Sequence, residues 1–281
     1  MGISKKFYRF VEKSIGGHGI GNLPFVKNLN AQVIKNLKDE YVIIDGDKMY
    51  LDKNDALLLS INEIYEKNET NYFKKVVNKG DIIIDVGANI GYYTLLFARL
   101  VGSDGKVYSF EPDPRNCKLL EKNVNENNYK NIILEKKAVS DKTEKCKFYL
   151  HEDTVGNSIQ ESNAKLHSEI EIESVALDDY FETKSLNPDF IKIDIEGYEF
   201  NALKGMELFL KSNNKVQIML EYNPKTKDVY DIEPLKVFDF LDEFCFKFKD
   251  LNSMSTGFMT ADEVKKKYVN ANKLTNFICV K

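Results

Sequence analysis

Carboxylates gather at the point where one hydrophobic segment of the sequence ends. In FIKIDIEGYEF (residues 190–200), Asp194, Glu196 and Glu199 follow a run of isoleucines. Acidic side chains in such an array hold a metal ion, bind an organic cation, act as a general base or begin a helix. Glu199 stands where a helix is expected to start, so we interpret it as a first-turn residue and expect Glu196 to face the pocket.

Two further segments add polar side chains with similar chemistry. Glu221 and Asn223 close the apolar run KVQIMLEYN, and His151 lies in CKFYLHE. Removing a proton from a reacting group requires a positioned base, for which Asp194, Glu221 and His151 are the catalytic candidates. Asp194, Glu221 and Asn223 also offer the oxygen ligands that Mg²⁺ prefers, so they are the expected ligands if a divalent ion takes part.

A strand-like run enters a glycine-bearing turn in GDIIIDVGANIGYYTLLFA (residues 80–98). A dinucleotide-binding loop would read G-x-G-x-x-G, with its helix N-terminus aimed at a pyrophosphate. Here Asn89 stands at the middle glycine position, and Asp85 at the mouth of the loop would repel a pyrophosphate. S-adenosylmethionine (SAM) carries a sulfonium and an ammonium against one carboxylate, so an acidic loop suits that ligand better.

The ends of the next two predicted strands extend this candidate site. Glu111, in YSFEPDP, can accept hydrogen bonds from both hydroxyls of a ribose. Asp141, in AVSDKTE, can accept from an adenine amino group, and the same residues are equally typical of a plain turn. The residues expected to contact SAM are Asp85, Gly87, Ala88, Asn89, Gly91, Tyr92, Glu111, Pro112, Ser140, Asp141 and Asp194.

From residue 81 onward, apolar strand-like runs alternate with helical patterns. We therefore expect an α/β fold with a doubly wound, mostly parallel sheet. Between 140 and 188, two strands are expected around a polar loop, and the runs at 244–251 and 275–281 predict an antiparallel C-terminal edge. The other predicted strands are 81–86, 105–111, 131–139, 189–195 and 215–222, and the predicted helices are 91–101, 114–127, 199–212 and 233–243.

The first 70 residues lack this alternation and predict a small α/β lobe. Two alternating runs flank Asp-Gly in YVIIDGDKMYLD, which is a hairpin signature. Helical spacing follows at 55–68 and again at 69–80. We therefore expect an N-terminal lobe at 1–70, built from a helix, a hairpin and a helix with substrate or oligomer contacts, and a SAM-binding domain at 71–281.

Composition narrows the classes of function. Lys and Arg number 40 against 44 Asp and Glu, so the net charge of −4 indicates no surface for nucleic acid. The four cysteines form no C-x-x-C pair, and only three histidines are present. No apolar run reaches the length of a membrane span, and the N-terminus lacks a signal-peptide core. We expect a cytoplasmic protein whose partner is a small molecule or a glycan, and the oligomeric state stays open.

The motifs DVGANIGYYT, FEPDPRN, AVSD, LDDYF and IKIDIEGYEFNALKG occur here in the order found in FkbM-type SAM-dependent methyltransferases. The sequence resembles that family over roughly residues 60–225. The resemblance implies a Rossmann-like fold and methyl transfer to an oxygen. It also implies an acceptor hydroxyl, commonly on a sugar and in some members on a polyketide.

Three other functions fit parts of the sequence. A nicotinamide-dependent oxidoreductase would share the strand–turn–helix start but lacks its G-x-G-x-x-G. A nucleotide-sugar-dependent glycosyltransferase could use Asp194 and Glu196 as a metal-holding D-x-D pair. A binding or scaffold protein could keep the SAM pocket without a base. An O-methyltransferase that acts on a sugar or glycan hydroxyl accounts for the most motifs together.

Overall fold

The computed structural model describes residues 38–62, 64–151, 166–230, 233–253 and 257–281. The chain divides into two compact units, Met1–Glu66 and Lys67–Lys281. The boundary expected near residue 70 stays a prediction. The first helix of the predicted lobe lies outside the described residues, and so does the side chain of His151.

The described part of the first unit contains a hairpin and one helical turn. Strands β1 (Tyr41–Ile44) and β2 (Asp47–Tyr50) pair antiparallel, which confirms the predicted hairpin. Both turn residues have positive φ, 51° and 98°, as a tight Asp-Gly turn requires. The single helix expected over 55–68 is wrong, since the described residues there form only the short α1 (Leu59–Asn62) and the start of a separate helix at Lys67. Leu58 and Glu66 take positive φ values, which no helix continues through.

The second unit alternates strands with helices. Its strands are β3 (Ile82–Val86), β4 (Lys106–Phe110), β5 (Ile132–Glu135), β6 (Ala138–Val139), β7 (Lys145–His151), β8 (Leu166–Val175), β9 (Phe190–Ile193), β10 (Gln217–Tyr222), β11 (Lys247–Asp250) and β12 (Thr275–Val280). Its helices are α2 (Lys67–Val76), α3 (Tyr92–Val101), α4 (Pro114–Glu126), α5 (Leu177–Lys184), α6 (Glu199–Lys204), α7 (Glu207–Ser212), α8 (Thr226–Tyr230), α9 (Lys236–Asp242) and α10 (Ala261–Tyr268).

Seven strands form the main sheet, in the order β11-β12-β10-β9-β3-β4-β5. The five strands from β10 to β5 run parallel, and β12 lies antiparallel between β10 and β11. This is a Rossmann-like α/β fold with an antiparallel C-terminal edge, as predicted. Because parallel strands end at the same edge of a sheet, the tips of β3, β4, β9 and β10 lie side by side.

A second, three-stranded sheet has the order β6-β8-β7. The strands β7 and β8 pair antiparallel, which confirms the two strands expected between 140 and 188. The single strand predicted at 131–139 is wrong, because β5 ends at Glu135 and β6 pairs with β8 instead. The chain therefore leaves the main sheet just before Ser140 and Asp141.

The single helix expected over 199–212 is also wrong, because α6 ends at Lys204 and α7 begins at Glu207. Between them, Gly205 lies against the backbone of Ser140, where an added Cβ would be 1.9 Å from the carbonyl oxygen. A close backbone approach of this kind requires glycine. The break therefore comes from a contact with a distant segment.

Buried apolar side chains cover both faces of the central strands. Ile84, Val86, Ile191 and Ile193 are at most 1% exposed, so the strands that lead to the predicted site are fully packed. Such packing holds the strand tips rigidly in place. In the described part of the chain, no helix combines the length and the apolar character that crossing a bilayer requires.

Candidate active site

Asp85 is the residue before the last in β3 and is completely buried. Its Oδ2 accepts a hydrogen bond from the Thr94 hydroxyl at 2.6 Å, whereas its Oδ1 has no hydrogen-bond partner. The Lys192 ammonium lies 4.0 Å from Oδ1. Burial raises the pKa of Asp85, while Lys192 and Thr94 act in the opposite direction.

Lys192 is a buried lysine in the middle of β9, and sequence reasoning missed it. Its Nζ donates to Asp194 Oδ2 at 3.0 Å and lies 4.9 Å from the centre of the Tyr93 ring. The side chain is 3% exposed, against 26% for Asp194. A single basic residue inside the apolar run FIKIDI was the available signal, because a charge in a central strand is stable only when paired.

The glycine loop after β3 directs its amides toward β4. Gly87 and Ala88 both donate to the carbonyl of Phe110 at 3.0 Å, and the Asn89 amide donates to Glu111 Oε2 at 2.8 Å. A loop that binds pyrophosphate needs such N–H groups free for the anion. These three amides are already engaged within the protein.

Gly87 itself serves the protein backbone. It has φ +81°, and a Cβ at this position would lie 1.9 Å from the carbonyl oxygen of Asp194. Gly91 and Asn89 also take positive φ values, 97° and 52°. The loop is therefore folded tightly against the end of β9, which brings Asp85 and Asp194 to the same edge of the sheet.

Glu111 follows β4 and is 5% exposed. Besides the Asn89 amide, its carboxylate accepts from the Asp113 amide at 2.9 Å and from Asn116 Nδ2 at 3.4 Å. Burial raises the pKa of Glu111 to about 7, against the lowering effect of the Asp113 and Asn89 amides. A carboxylate offers about four acceptor positions, so acceptor capacity remains for a ligand hydroxyl.

The remaining predicted cofactor contacts lie on three different elements. Tyr92 is buried in the first turn of α3, where its hydroxyl lies 3.1 Å from the Thr70 hydroxyl of α2. Pro112 is half-buried after β4. Ser140 and Asp141 follow β6, and the Ser140 hydroxyl donates to Asp141 Oδ1 at 3.0 Å. The structure thus places Tyr92 in helix packing and the other three after strands.

The acids after β9 differ in their surroundings. Glu196 has φ +44°, and burial together with the charges of Asp194 and Glu199 raises its pKa to about 7. Glu199 begins α6, as predicted, and its Oε1 accepts from the Gly197 amide at 3.1 Å. Burial is also the main cause that raises the pKa of Glu199 to about 7.

A small recess, which we call the acidic recess, opens at the ends of β9 and β10. Its acidic members are Glu199, Glu221 and Glu233. Glu199 lines this recess and Glu196 is not among its lining residues, while the expectation that Glu196 faces the cofactor pocket stays a prediction. The lining residues are Gly197, Glu199, Phe200, Glu221, Asn223, Thr226, Glu233, Pro234 and Val237.

The predicted metal ligands do not form a set that fits a divalent ion. Asp194 already accepts from the Lys192 ammonium, which would repel a cation at the same oxygen. The side-chain oxygen of Asn223 accepts from the Lys225 amide at 3.1 Å. Across the ranges that the structure describes, no group of three or more His, Cys, Asp or Glu residues could hold a metal.

A family model described as the methyltransferase FkbM domain matches residues 85–248, more than half of the 281 residues. This chain belongs to the FkbM methyltransferase family. The matched span begins at Asp85 and includes Glu111, Asp194 and Glu221, so the candidate site lies inside the family's domain. The resemblance read from the sequence motifs is thereby confirmed.

One curated relative is the hexuronic acid methyltransferase AglP of Haloferax volcanii, which is 26% identical over 150 residues. The match covers 53% of this chain and 59% of AglP, so the chain spans less than two thirds of that relative. Among solved structures, a precorrin-6y C5,15-methyltransferase of Geobacter metallireducens is 14% identical, with a TM-score of 0.49 over 86% of this chain and 100% of its own. Aeropyrum pernix fibrillarin with bound S-adenosyl-L-methionine is 12% identical, with a TM-score of 0.44 over 76% of this chain and 74% of its own.

Proposed function

We propose that this FkbM-family protein transfers the methyl group of SAM to a hydroxyl of a sugar or glycan. The observation that carries the proposal is the charge at the strand tips. Asp85, Glu111 and Asp194 stand there with one ammonium, that of Lys192, among the described contacts of these acids. A ligand of net positive charge balances such a site, and SAM has that charge.

The residues at the tips of β3, β4 and β9 suit the parts of SAM in turn. Glu111 would accept from the ribose hydroxyls, and Asp141 from the adenine amino group. Asp85, whose Oδ1 accepts no hydrogen bond and lies 4.0 Å from the Lys192 ammonium, and Asp194 would face the positive end of the cofactor. When bound, SAM supplies an electrophilic methyl group on its sulfonium.

The acceptor hydroxyl must be aligned with that methyl group and lose its proton. Asp194, Glu221 and His151 are our proposed candidates for taking the proton. Asp194 is half-buried at the tip of β9, and Glu221 lines the acidic recess beside it. The acidic recess therefore lies on the side of the strand tips where we place the acceptor.

The choice of a sugar acceptor rests on the match to AglP, a hexuronic acid methyltransferase. Family membership by itself supports methyl transfer without naming the acceptor. We further propose that the reaction takes place in the cytoplasm, where thiols stay reduced, because all four cysteines are free. The N-terminal lobe at 1–70 would contribute contacts to the acceptor or to a second copy.

The two rival enzyme functions receive less support from the site. A nicotinamide dinucleotide needs free amides in the glycine loop, and those of Gly87, Ala88 and Asn89 are engaged. A glycosyltransferase of the D-x-D type needs a metal on Asp194, whose carboxylate is bonded to the Lys192 ammonium. The engaged loop amides and the Lys192–Asp194 ion pair therefore both favour a cationic organic ligand over a dinucleotide or a metal-bound sugar nucleotide.

The proposal is tested by transfer of a radiolabelled methyl group from SAM to a panel of neutral sugars, amino sugars, uronic acids and polyketide alcohols. We expect label on a neutral sugar, amino sugar or uronic acid, in a form that survives mild base, because ethers resist hydrolysis and methyl esters do not. Base-labile label would place the methyl group on a carboxylate and contradict transfer to a hydroxyl. Label on the polyketide alcohol alone would contradict the sugar acceptor.

A further inference from the structure

Lys192 is almost completely buried, and the proposed reaction so far gives this lysine no role. A lysine in a central strand loses its hydration, and this loss is offset only by close partners. Close partners of its ammonium among the described residues are Asp194 Oδ2 at 3.0 Å, Asp85 Oδ1 at 4.0 Å and the Tyr93 ring at 4.9 Å. The two acids are the same ones that face the positive end of the cofactor in the proposed function.

The sheet register accounts for this arrangement. Asp85 of β3 is paired with Lys192 of β9 on one side and with Ser109 of β4 on the other. Directly paired residues in a sheet project to the same face. Thr94 bridges Asp85 and Ser109, since its hydroxyl lies 2.6 Å from Asp85 Oδ2 and 2.9 Å from Ser109 Oγ. The Oδ1 atom of Asp85 is left facing the ammonium.

Asp194 differs from Asp85 in being open on one side. The two oxygens of the completely buried Asp85 meet Thr94 and Lys192, whereas Asp194 keeps 26% of its side chain exposed. The ammonium holds Asp194 by Oδ2, which leaves Oδ1 for a ligand. Two further acids lie close enough for the charge of Asp194 to raise their pKa values, namely Glu196 and Glu199.

We propose that Lys192 is a positioning residue for methyl transfer. It neutralises Asp85 and holds Asp194 through one oxygen, so that the other oxygen meets the cofactor and the acceptor in a fixed orientation. This inference rests on the proposed function, since it assigns a role within the same SAM site. Lys192 acts through Asp194 and does not itself touch the reacting atoms.

The test uses the full chain and four variants. Lys192→Met removes the charge and keeps an unbranched side chain that is one atom shorter. Asp85→Asn and the double variant Asp85→Asn/Lys192→Met remove the buried charges singly and together, so the double variant still folds if Lys192→Met alone does not. Lys211→Met is the matched control, because that lysine is 58% exposed and pairs only with Glu207 among the described contacts. Circular dichroism checks folding, and calorimetric titration gives the Kd for SAM.

We expect Lys192→Met to weaken SAM binding by about tenfold or more, the typical effect of losing a hydrogen bond to a charged group. The double variant should bind SAM about tenfold more weakly than Asp85→Asn, because Asp194 has lost its clamp, and Lys211→Met should match the wild type. Equal SAM affinities for Asp85→Asn and the double variant would overturn the proposal, whatever happens to thermal stability. Failure of the wild type itself to bind SAM would refute the proposed function and this inference with it.

Discussion

The cofactor side and the acceptor side of the candidate site are built differently. On the cofactor side, at the tips of β3 and β4, the carboxylates of Asp85 and Glu111 meet Thr94, Lys192 and backbone amides at defined distances. On the acceptor side, three glutamates line the acidic recess, and none of its lining residues that the structure describes is basic.

This difference separates recognition of a fixed ligand from recognition of a variable one. A network whose members hold each other in place is preorganised for one charge and one shape. An open recess lined by acids adapts more readily to different polyhydroxyl acceptors. Changes on the cofactor side should therefore cost more than changes in the acidic recess, and Asp194, which stands between the two, should cost most.

Asp194→Asn is expected to have the largest effect. We expect kcat/KM for the methylated acceptor to fall by about 100-fold or more, which is typical of losing a group that takes or orients a proton. Steady-state kinetics on the acceptor found in the labelling panel would measure this. Asp104→Asn, an exposed acid on the loop before β4, is the control and should leave kcat/KM unchanged. A decrease in kcat/KM of less than about twofold for Asp194→Asn would show that this carboxylate takes no part in methyl transfer.

Gly87→Ala should be the most destabilising change on the cofactor side. The new Cβ would lie 1.9 Å from the carbonyl oxygen of Asp194, in addition to the strain of φ +81°. Gly80 is the matched control, since it has φ +89° and nothing within 4 Å of an added Cβ. We expect Gly80→Ala to cost about 1–2 kcal/mol and Gly87→Ala about 1–3 kcal/mol more, measured by urea unfolding. Equal costs would mean that the loop moves freely away from β9.

Glu111→Gln should weaken cofactor binding and remove its pH dependence. The pKa of Glu111 is raised to about 7, so the folded protein without ligand keeps a proton there at lower pH. Ribose hydroxyls favour the ionised form, so the wild-type affinity for SAM should increase between about pH 6 and pH 8. Glu111→Gln should bind about tenfold more weakly at about pH 8 and show a flat profile. A wild-type affinity that does not change with pH would contradict this role.

The smallest effect is expected in the acidic recess, from Glu199→Gln. The pKa of Glu199 is raised from 4.5 to about 7, so its contribution to stability is complete below about pH 4.5 and is lost as the pH rises through 7. Glutamine still accepts from the Gly197 amide, so the variant should melt about 2–4 °C higher than the wild type at about pH 8. Glu207→Gln, whose side chain is 44% exposed, should not change the melting temperature. A lower melting temperature for Glu199→Gln would show that its charge stabilises the fold.

The two sides also differed in how far the sequence predicted them. Asp85, Glu111 and the glycine turn follow directly from local patterns, because strand ends and tight turns depend on neighbouring residues. Whether Glu196 or Glu199 faces the acidic recess depends on the left-handed turn at Glu196, which no local pattern indicated. The break at Gly205 depends on a contact with Ser140, far away in the chain.

Lys192 is another residue whose partners could not all be predicted from local sequence patterns. Its position in a buried strand was predicted, and Asp194 follows it two residues later, but Asp85 comes from β3 and only the strand order brings it to Lys192. The sequence thus predicts Asp85 and Asp194 as cofactor contacts, but it does not indicate that the ammonium of Lys192 lies between them.

Calorimetric titration of the full chain with SAM and with NAD is the most direct test of the central claim. The engaged loop amides and the acidic strand tips predict saturable binding of SAM at one site per chain, and no binding of NAD under the same conditions. Tight binding of NAD without binding of SAM would contradict the assignment of this site to a positively charged cofactor.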